Sequence, residues 1–333
     1  MAVGRYMPLH WRRHHETIGA RGPAGATYPR AFEMGARADS WPPEGRGAPG
    51  ADLLFLREQL LDAWHIDVAI LNALGAAGRE RNLEYAAALA AATNDWLQAE
   101  WLDPEPRLRA SIVVPTEAPD LAAAEIRRCA RRKAFVQVIL NVRSSEPLGR
   151  RRYWPLLEAA AENDLPVGIH FGGAGGGPFT GAGWPSFYIE DHAGMAAVFQ
   201  TQVTSLVCKG VFERFPALRV VLIEGGFAWL PPLIWRLDNA WRAMRDELPH
   251  LRRPPSEYIR GRFWLTTQPV EEPPRPVHFH QLLSHLGMSD RLLFATDYPH
   301  WDFDAPDSAL PARLDPQTKA AIMGGNARQL YRL

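Results

Sequence analysis

From residue 52 onward, short apolar runs alternate with longer amphipathic stretches. The short runs are rich in β-branched and aliphatic residues, as is typical of strands buried on both faces, and they occupy residues 66–72, 110–114, 135–140, 167–171, 220–223, 263–267 and 292–295. Apolar residues recur at helical spacing in the intervening stretches, at residues 83–102, 120–133, 154–163, 193–214, 230–247 and 277–286. Strands that alternate with helices in this way predict a parallel sheet with right-handed crossovers.

The first 50 residues have a different character. They are rich in Gly, Pro and Arg and show no sustained period apart from a short helical pattern at residues 9–16. The periodic pattern begins after Asp52, which can cap a helix that opens at Leu53. We therefore predict an N-terminal loop or lid over residues 1–50 and a barrel domain over residues 51–333.

The number of strands bears on the fold class. Seven predicted strands are one short of the eight in a closed TIM-type (β/α)8 barrel. An open doubly wound sheet is the alternative, but its glycine fingerprint after the first strand is missing. The glycine-rich segment 172–177 follows a strand and runs into Pro178 instead of opening a helix, so we interpret it as a flexible active-site loop. The sequence favours a TIM-type (β/α)8 barrel whose first strand is missing from this chain.

Composition excludes several classes of partner. Lys plus Arg and Asp plus Glu both total 37, so the formal net charge is zero and no overall field attracts nucleic acid or an anionic membrane. The N-terminus lacks the apolar stretch of a signal peptide, and the most apolar window, residues 220–235, is interrupted by Glu224 and two prolines. The two cysteines, Cys129 and Cys208, are expected to be free thiols. We expect a cytoplasmic protein that acts on a small molecule.

Candidate chemistry concentrates where the predicted strands end. His170 closes the fourth predicted strand, Glu224 follows the fifth, and Asp297 follows the last. Reactive groups of a barrel lie at the carboxyl ends of its strands, and burial after an apolar run shifts the pKa of an ionisable side chain. An imidazole and a carboxylate that converge there suit a metal such as zinc or manganese.

These residues also carry a family resemblance. The strand-end His170, the run Leu222-Ile223-Glu224-Gly225-Gly226 and the segment Ala295-Thr296-Asp297-Tyr298-Pro299-His300 resemble the amidohydrolase-related family, from about Asp52 to the C-terminus. That family includes aminocarboxymuconate-semialdehyde and resorcylate-type decarboxylases alongside hydrolases. The resemblance implies that His170 is a metal ligand and that Asp297 is a metal-proximal carboxylate that moves protons. It also implies a barrel of the metal-dependent hydrolase type, a divalent metal, zinc first and manganese as the alternative, and a homodimer.

Two departures from the family pattern matter. Members usually open with a strand that carries His-x-His or an acidic residue-x-His, and no such strand precedes Leu53. Either the chain begins downstream of that strand, or the protein works with an incomplete metal site. Many members also carry a catalytic His at the position of Glu224, where a carboxylate can act as a general base or as an orienting acceptor.

Further polar and aromatic side chains near strand ends are candidates for the substrate site. Gln268, His300 and Trp301 are predicted to contact substrate, and Trp184 and Trp229 also fall in or near strand-end loops. A packing role is the competing interpretation for each tryptophan. His10 and His14 have the i,i+4 spacing of a helical zinc pair, but Trp11 stands where a metalloprotease has Glu. His278 and His280 imitate a His-x-His motif, but they open a helical stretch, where residues two apart point to different sides.

The sequence supports three classes of function. The first is a metal-dependent enzyme that acts on a small organic acid or amide, by hydrolysis or by non-oxidative decarboxylation. The second is a non-catalytic barrel that has lost part of its metal site and serves as a binding or scaffold subunit. The third is a metal-independent lactonase that relies on Asp297 and His170 directly. His170 as a core histidine and Asp297 as a helix cap are the corresponding plain interpretations.

Overall fold

The computed structural model describes residues 2–18, 35–43, 45–74, 80–173, 178 and 180–333. Seven parallel strands form one sheet in which each strand pairs with its neighbours in chain order. They are β1 (Ala69–Leu71), β2 (Leu108–Val113), β3 (Phe135–Asn141), β4 (Val167–His170), β5 (Val220–Ile223), β6 (Phe263–Thr266) and β7 (Leu292–Leu293). All seven predicted strands are confirmed, and the sheet curls into a partial barrel.

The strands form where the sequence is apolar on both faces. Most positions of β2 to β6 are buried, which suits a sheet covered by helices outside and filled by side chains inside. The register pairs His170 at the end of β4 with Ile223 at the end of β5. Since parallel strands end at the same rim, this register brings the residues after β4 and β5 side by side.

Helices follow the strands in the predicted alternation. They are α1 (Leu9–Ile18), α2 (Leu53–Leu56), α3 (Leu83–Leu97), α4 (Pro119–Cys129), α5 (Trp154–Glu162), α6 (Tyr188–Cys208), α7 (Val211–Arg214), α8 (Leu230–Ala243), α9 (Pro255–Arg262), α10 (Pro276–Leu286), α11 (Pro316–Ala320) and α12 (Asn326–Tyr331). The six predicted helical stretches are all occupied by helix. Helices α9, α11 and α12 had no counterpart in the prediction because they are short and carry few apolar repeats.

One predicted helix differs from the observed one at both ends. The stretch 193–214 is divided at Gly210, whose φ of 72° lies in the left-handed region that glycine adopts without strain. At its other end α6 begins at Tyr188, where Glu190 accepts backbone hydrogen bonds from Ser186 and Phe187. That cap extends the helix toward the rim of the sheet and adds residues 188–192 to it.

The C-terminal helix α12 lies across the amino-terminal end of the sheet. Arg328 pairs with Asp67, just before β1, and Arg332 pairs with Asp164, just before β4. Inside the sheet, the Tyr331 hydroxyl donates to Oε1 of Gln137 on β3 at 2.8 Å. Among the described residues β1 and β7 pair with no further strand, and α12 helps to fill the core beneath this open sheet.

A segment of the first 50 residues packs against the loop that follows β7. Ala36 and His300 form an antiparallel bridge; the Arg37 amide donates to the Pro299 carbonyl at 3.0 Å, and the Trp301 amide donates to the Gly35 carbonyl at 2.7 Å. The predicted lid also includes residues 19–34, and the predicted active-site loop includes residues 174–177; both stretches lie outside the described residues. The division at residue 50 stays a prediction.

Two smaller sequence-based expectations concern thiols and membranes. Cys129 and Cys208 are both free cysteines, as predicted. In the part of the chain that the structure describes, the helices are too short or too polar for a bilayer crossing.

Candidate active site

Three of the predicted site residues converge at the carboxyl-terminal rim of the sheet. One ligand atom from each of His170, Glu224 and Asp297 lies within 4.8 Å of the other two. His170 closes β4, Glu224 follows β5, and Asp297 lies in the loop after β7. The structure therefore brings together residues that are up to 127 positions apart in the sequence (297 minus 170); their individual roles remain predictions.

The backbone turns sharply at both carboxylates. Glu224 has a φ of 61° and Asp297 a φ of 55°, which is an uncommon conformation for residues other than glycine, typical of functional sites. The Glu224 amide donates to the Thr266 hydroxyl at 3.0 Å, and the Trp229 indole donates to the Gly225 carbonyl at 2.7 Å. These bonds hold the strained turn after β5 in place.

His170 is neutral and its free nitrogen faces a carboxylate. The side chain is buried, and burial lowers the pKa of His170 to about 4. Its Nδ1 atom lies 2.7 Å from the Phe171 carbonyl, which can only accept, so the ring proton resides on Nδ1. Nε2 then carries a lone pair and lies 3.1 Å from Oε2 of Glu224. Two electron pairs at this distance repel unless a proton or a cation lies between them.

The two carboxylates are held in an environment that disfavours their charge. Burial raises the pKa of Glu224 well above its ordinary value, and the carboxyl of Asp297 adds to the effect. Burial likewise raises the pKa of Asp297 to about 6, although a hydrogen bond from His300 opposes the shift. That bond joins His300 Nδ1 to Asp297 Oδ1 at 2.8 Å. A positive charge nearby would stabilise the ionised form of both carboxylates.

Unsatisfied oxygens mark the same spot. Within the described residues, Oε2 of Glu224 and Oδ2 of Asp297 are buried and have no hydrogen-bond partner. A buried acceptor without a partner costs free energy, and a bound cation would satisfy both oxygens together with the Nε2 lone pair of His170. One nitrogen and two carboxylate oxygens form a donor set that accepts divalent metals, and carboxylates are the ligands that manganese prefers. The residues present therefore fit a divalent metal.

The three predicted substrate-binding residues take different positions. His300 is bonded to Asp297, and Trp301 is 45% exposed at the rim. Gln268 is buried, and its amide nitrogen donates to Oδ2 of Asp302 at 2.9 Å. That amide nitrogen is thus occupied by Asp302.

Sequence reasoning missed a second histidine and carboxylate beside the first group. Nε2 of His192, on α6, lies 3.2 Å from Oδ2 of Asp302. Although burial opposes it, the hydrogen bond and the charge of His192 lower the pKa of Asp302 below its ordinary value. His192 was overlooked because the predicted helix began one residue after it. Asp302 stands two residues beyond His300, and this proximity was the available signal.

The other singled-out residues lie apart from this cluster. The His10 ring packs on Trp11, and Nε2 of His278 contacts Arg275 at 2.7 Å. Of the residues that the structure describes, only the group at the rim has three metal-ligating side chains together. Trp184 is largely exposed, whereas Trp229 supports the turn that carries Glu224.

Comparison with curated proteins gives relatives of one chemical class. The chain is 28% identical over 256 residues to the gamma-resorcylate decarboxylase of Polaromonas sp. JS666, which covers 72% of this chain and 75% of that protein. It is 28% identical over 307 residues to the enzyme of the same name from Rhodococcus jostii RHA1, with 85% of this chain and 88% of that protein covered. A 2-amino-3-carboxymuconate-6-semialdehyde decarboxylase from Dictyostelium discoideum is 26% identical, over 66% of this chain and 60% of the relative.

Solved structures agree with the fold. The dihydroxybenzoic acid decarboxylase of Polaromonas sp. JS666, solved with bound manganese and the inhibitor 2-nitroresorcinol, superposes with a TM-score of 0.66 at 26% identity. The match covers 83% of this chain and 85% of that one. A family model described as amidohydrolase matches residues 11–333. The resemblance seen in the sequence is therefore confirmed, and the chain belongs to the amidohydrolase family as an enzyme of that superfamily.

Proposed function

We propose that this protein is a metal-dependent decarboxylase that removes carbon dioxide from a small aromatic carboxylic acid without oxidation. The observation that carries the proposal is the lone pair of His170 Nε2 facing the unsatisfied oxygens of Glu224 and Asp297. That arrangement supplies a place for a cation, and the relatives act on aromatic acids by name. The non-catalytic barrel and the metal-independent lactonase gain no support from these relatives.

Within this proposal, His170, Glu224 and Asp297 hold the metal. Manganese is favoured over zinc because two of the three donors are carboxylates and because the Polaromonas relative carries manganese. A divalent ion bound by these three residues would supply positive charge to stabilise the substrate carboxylate at the mouth of the barrel.

Asp297 is the proposed proton donor. In the metal-free protein burial raises the pKa of Asp297 to about 6, and a buried carboxyl that holds its proton more tightly than an exposed aspartate suits a general acid. In the reaction, the proton of Asp297 passes to the ring carbon while the bond from that carbon to the carboxylate breaks and carbon dioxide leaves. His300, bonded to Oδ1, fixes the carboxyl so that Oδ2 remains directed at the cluster. Water then returns a proton to Asp297.

The test is an assay of the manganese-loaded protein against a panel of acids. The panel contains 2,6-dihydroxybenzoate and 5-carboxyvanillate, together with an aryl amide and a lactone as hydrolytic substrates. We expect carbon dioxide and the matching phenol from at least one acid, with one deuterium in the phenol ring when the solvent is D2O. Hydrolysis of the amide or lactone without carbon dioxide from any acid would overturn the proposal.

Two variants accompany the assay. Asp297→Asn should abolish carbon dioxide release because the proton donor and a ligand are lost together. His278→Ala is the matched control, since His278 lies on α10 and contacts Arg275 instead of the cluster; it should keep the activity of the parent. Full activity of Asp297→Asn, or of parent protein treated with a chelator, would contradict the proposed chemistry.

A further inference from the structure

An aromatic patch lies beside the metal-ligating cluster. Its members are Phe171, Tyr188, His192 and Trp301, and the centroid of the His192 ring lies 5.7, 5.6 and 5.4 Å from those of Phe171, Tyr188 and Trp301. Burial raises the pKa of Tyr188, and the charges of Glu224 and Asp297 add to the shift, so the patch is close to the cluster. Rings at these distances contact one another, and together they form an aromatic surface on which a planar ring can stack.

His192 is the histidine of this aromatic patch, and its ring orientation is fixed. Nε2 lies 3.2 Å from Asp302 Oδ2, and Asp302 is itself held by Gln268, whose amide reaches both Oδ2 and the Asp302 carbonyl. A carboxylate accepts, so Nε2 donates and the other nitrogen is left to face another group. Within the described residues His192 Nδ1 has no hydrogen-bond partner.

The contact with Asp302 uses Nε2 of His192 and leaves Nδ1 without an assigned partner. A phenyl ring would pack equally well against Phe171 and Trp301, whereas a histidine oriented by a buried amide and a carboxylate offers a hydrogen bond at a defined place. The Asp302 carboxylate and the Gln268 amide are therefore best explained as supports for His192. Such support is typical of residues whose orientation matters for ligand recognition.

We infer that His192 is a specificity-determining residue that binds a ring hydroxyl of the aromatic substrate through its Nδ1 atom, with Asp302 and Gln268 as positioning residues. The inference rests on the proposed function, because it takes the substrate ring to stack on the aromatic patch while the substrate carboxylate is at the metal. It restricts the substrate class to acids that carry a hydroxyl on the side of the ring facing α6. Asp302 acts through His192 and is not assigned contact with substrate here.

The experiment compares two unreactive ligands that differ by one hydroxyl. Dissociation constants of 2-nitroresorcinol and 2-nitrophenol are measured by calorimetry on manganese-loaded parent protein and on His192→Phe, which keeps an aromatic ring in the aromatic patch. We expect the parent to prefer 2-nitroresorcinol by about tenfold, the value of one hydrogen bond. In His192→Phe the two constants should become equal, and His192→Asn should restore part of the preference.

Each outcome separates the inference from the function it rests on. A merely structural role for His192 would weaken both ligands equally and leave the tenfold ratio intact, which would overturn the inference while the proposed function stands. The inference would also be overturned if the preference persists in His192→Phe and is lost in Tyr188→Phe. That result would assign the contact to the Tyr188 hydroxyl, the other polar group of the aromatic patch. If the parent protein binds neither ligand and decarboxylates no acid of the panel, the proposed function fails and the inference fails with it.

Discussion

His170 Nε2 and Glu224 Oε2 lie 3.1 Å apart at the rim of the barrel, and the proton of His170 is on its other nitrogen. The contact is stable only with a proton or a cation between the two atoms. A protonated Glu224 provides the first and a divalent metal the second, so metal and proton compete for one place. Glu224 stands at a position where the family resemblance predicts a histidine. Its carboxylate therefore adds a negative charge to the ligand set.

The first prediction concerns Glu224→Gln, which keeps the shape of the side chain and removes its charge. We expect the affinity for manganese to fall about 10- to 100-fold, because one donor is weakened and the Nε2 lone pair of His170 no longer faces an anion. Titration of the metal-free protein with manganese, followed by the loss of the free-ion electron paramagnetic resonance signal, measures this change.

The matched control for that prediction is Asp304→Asn. Asp304 is a half-buried carboxylate near Asp302 and Asp297, and burial raises its pKa to about 6, but it lies outside the three-residue group. Its substitution should change the affinity less than about twofold, as expected for a charge that does not ligate. An equal loss in both variants would show that a general acidic field, and not ligation by Glu224, attracts the ion.

The fold was largely predictable because its signal is local. Each buried strand is a short apolar run, as in the β3 sequence Phe-Val-Gln-Val-Ile-Leu-Asn, and the helices repeat apolar residues at their own period. What escaped prediction depends on tertiary contacts. Helix α12 is short, and Tyr331 gains its place from a hydrogen bond to Gln137, which is 194 residues away.

The site was predictable where a polar residue ends an apolar run. His170, Glu224 and Asp297 each meet that condition, and the parallel register brings them to one rim. His192 does not, because it lies inside the first two turns of a helix whose start is set by the cap at Glu190. The contact of Gln268 with substrate stays a prediction, and nothing in the sequence indicated that its amide nitrogen donates to Asp302.

The second prediction concerns the pH dependence of stability in metal-free protein. Folding raises the pKa of Asp297 from 3.8 to about 6, so the folded state binds the proton more tightly than the unfolded state. The stability due to this group is therefore fully present below pH 4 and is lost as the pH rises through about 6. Asp297→Asn removes the dependence, and its free energy of unfolding should rise relative to the parent by about 3 kcal/mol at most between pH 4 and pH 7.

Urea denaturation of both metal-free proteins at several pH values measures this difference. Saturating manganese should stabilise the parent and not the variant at pH 7, which is the internal control. A gap between the two proteins that shrinks as the pH rises would mean that Asp297 is stabilised as an anion in the folded state, contrary to the argument.

The third prediction concerns the helix that lies beneath the sheet. Tyr331→Phe removes the hydroxyl that donates to Gln137 Oε1 and leaves a buried acceptor without its partner, which should cost about 1 to 3 kcal/mol of unfolding free energy. Tyr6→Phe is the control, because the Tyr6 hydroxyl bonds the partly exposed Glu100 near the surface. Its cost should stay within about 0.5 kcal/mol. Equal losses in thermal denaturation would show that Tyr331 contributes no more than a surface hydrogen bond.

The fourth prediction concerns the pH profile of the reaction in His300→Phe. In the parent protein the hydrogen bond and charge of His300 lower the pKa of Asp297, against the larger opposing effect of burial. Removal of the imidazole takes away one influence that favours the anion, so the pKa of Asp297 rises relative to the parent. If Asp297 delivers its proton to the ring carbon, the reaction requires the protonated form, and kcat falls as the pH rises through that pKa. The alkaline limb of kcat should therefore move to higher pH in His300→Phe, measured in saturating manganese and substrate from pH 5 to pH 9. A kcat that instead rises with pH through this pKa, with an acid limb that moves to higher pH in His300→Phe, would indicate that the ionised form of Asp297 is the active one, as in a hydrolytic mechanism that begins with proton abstraction from water.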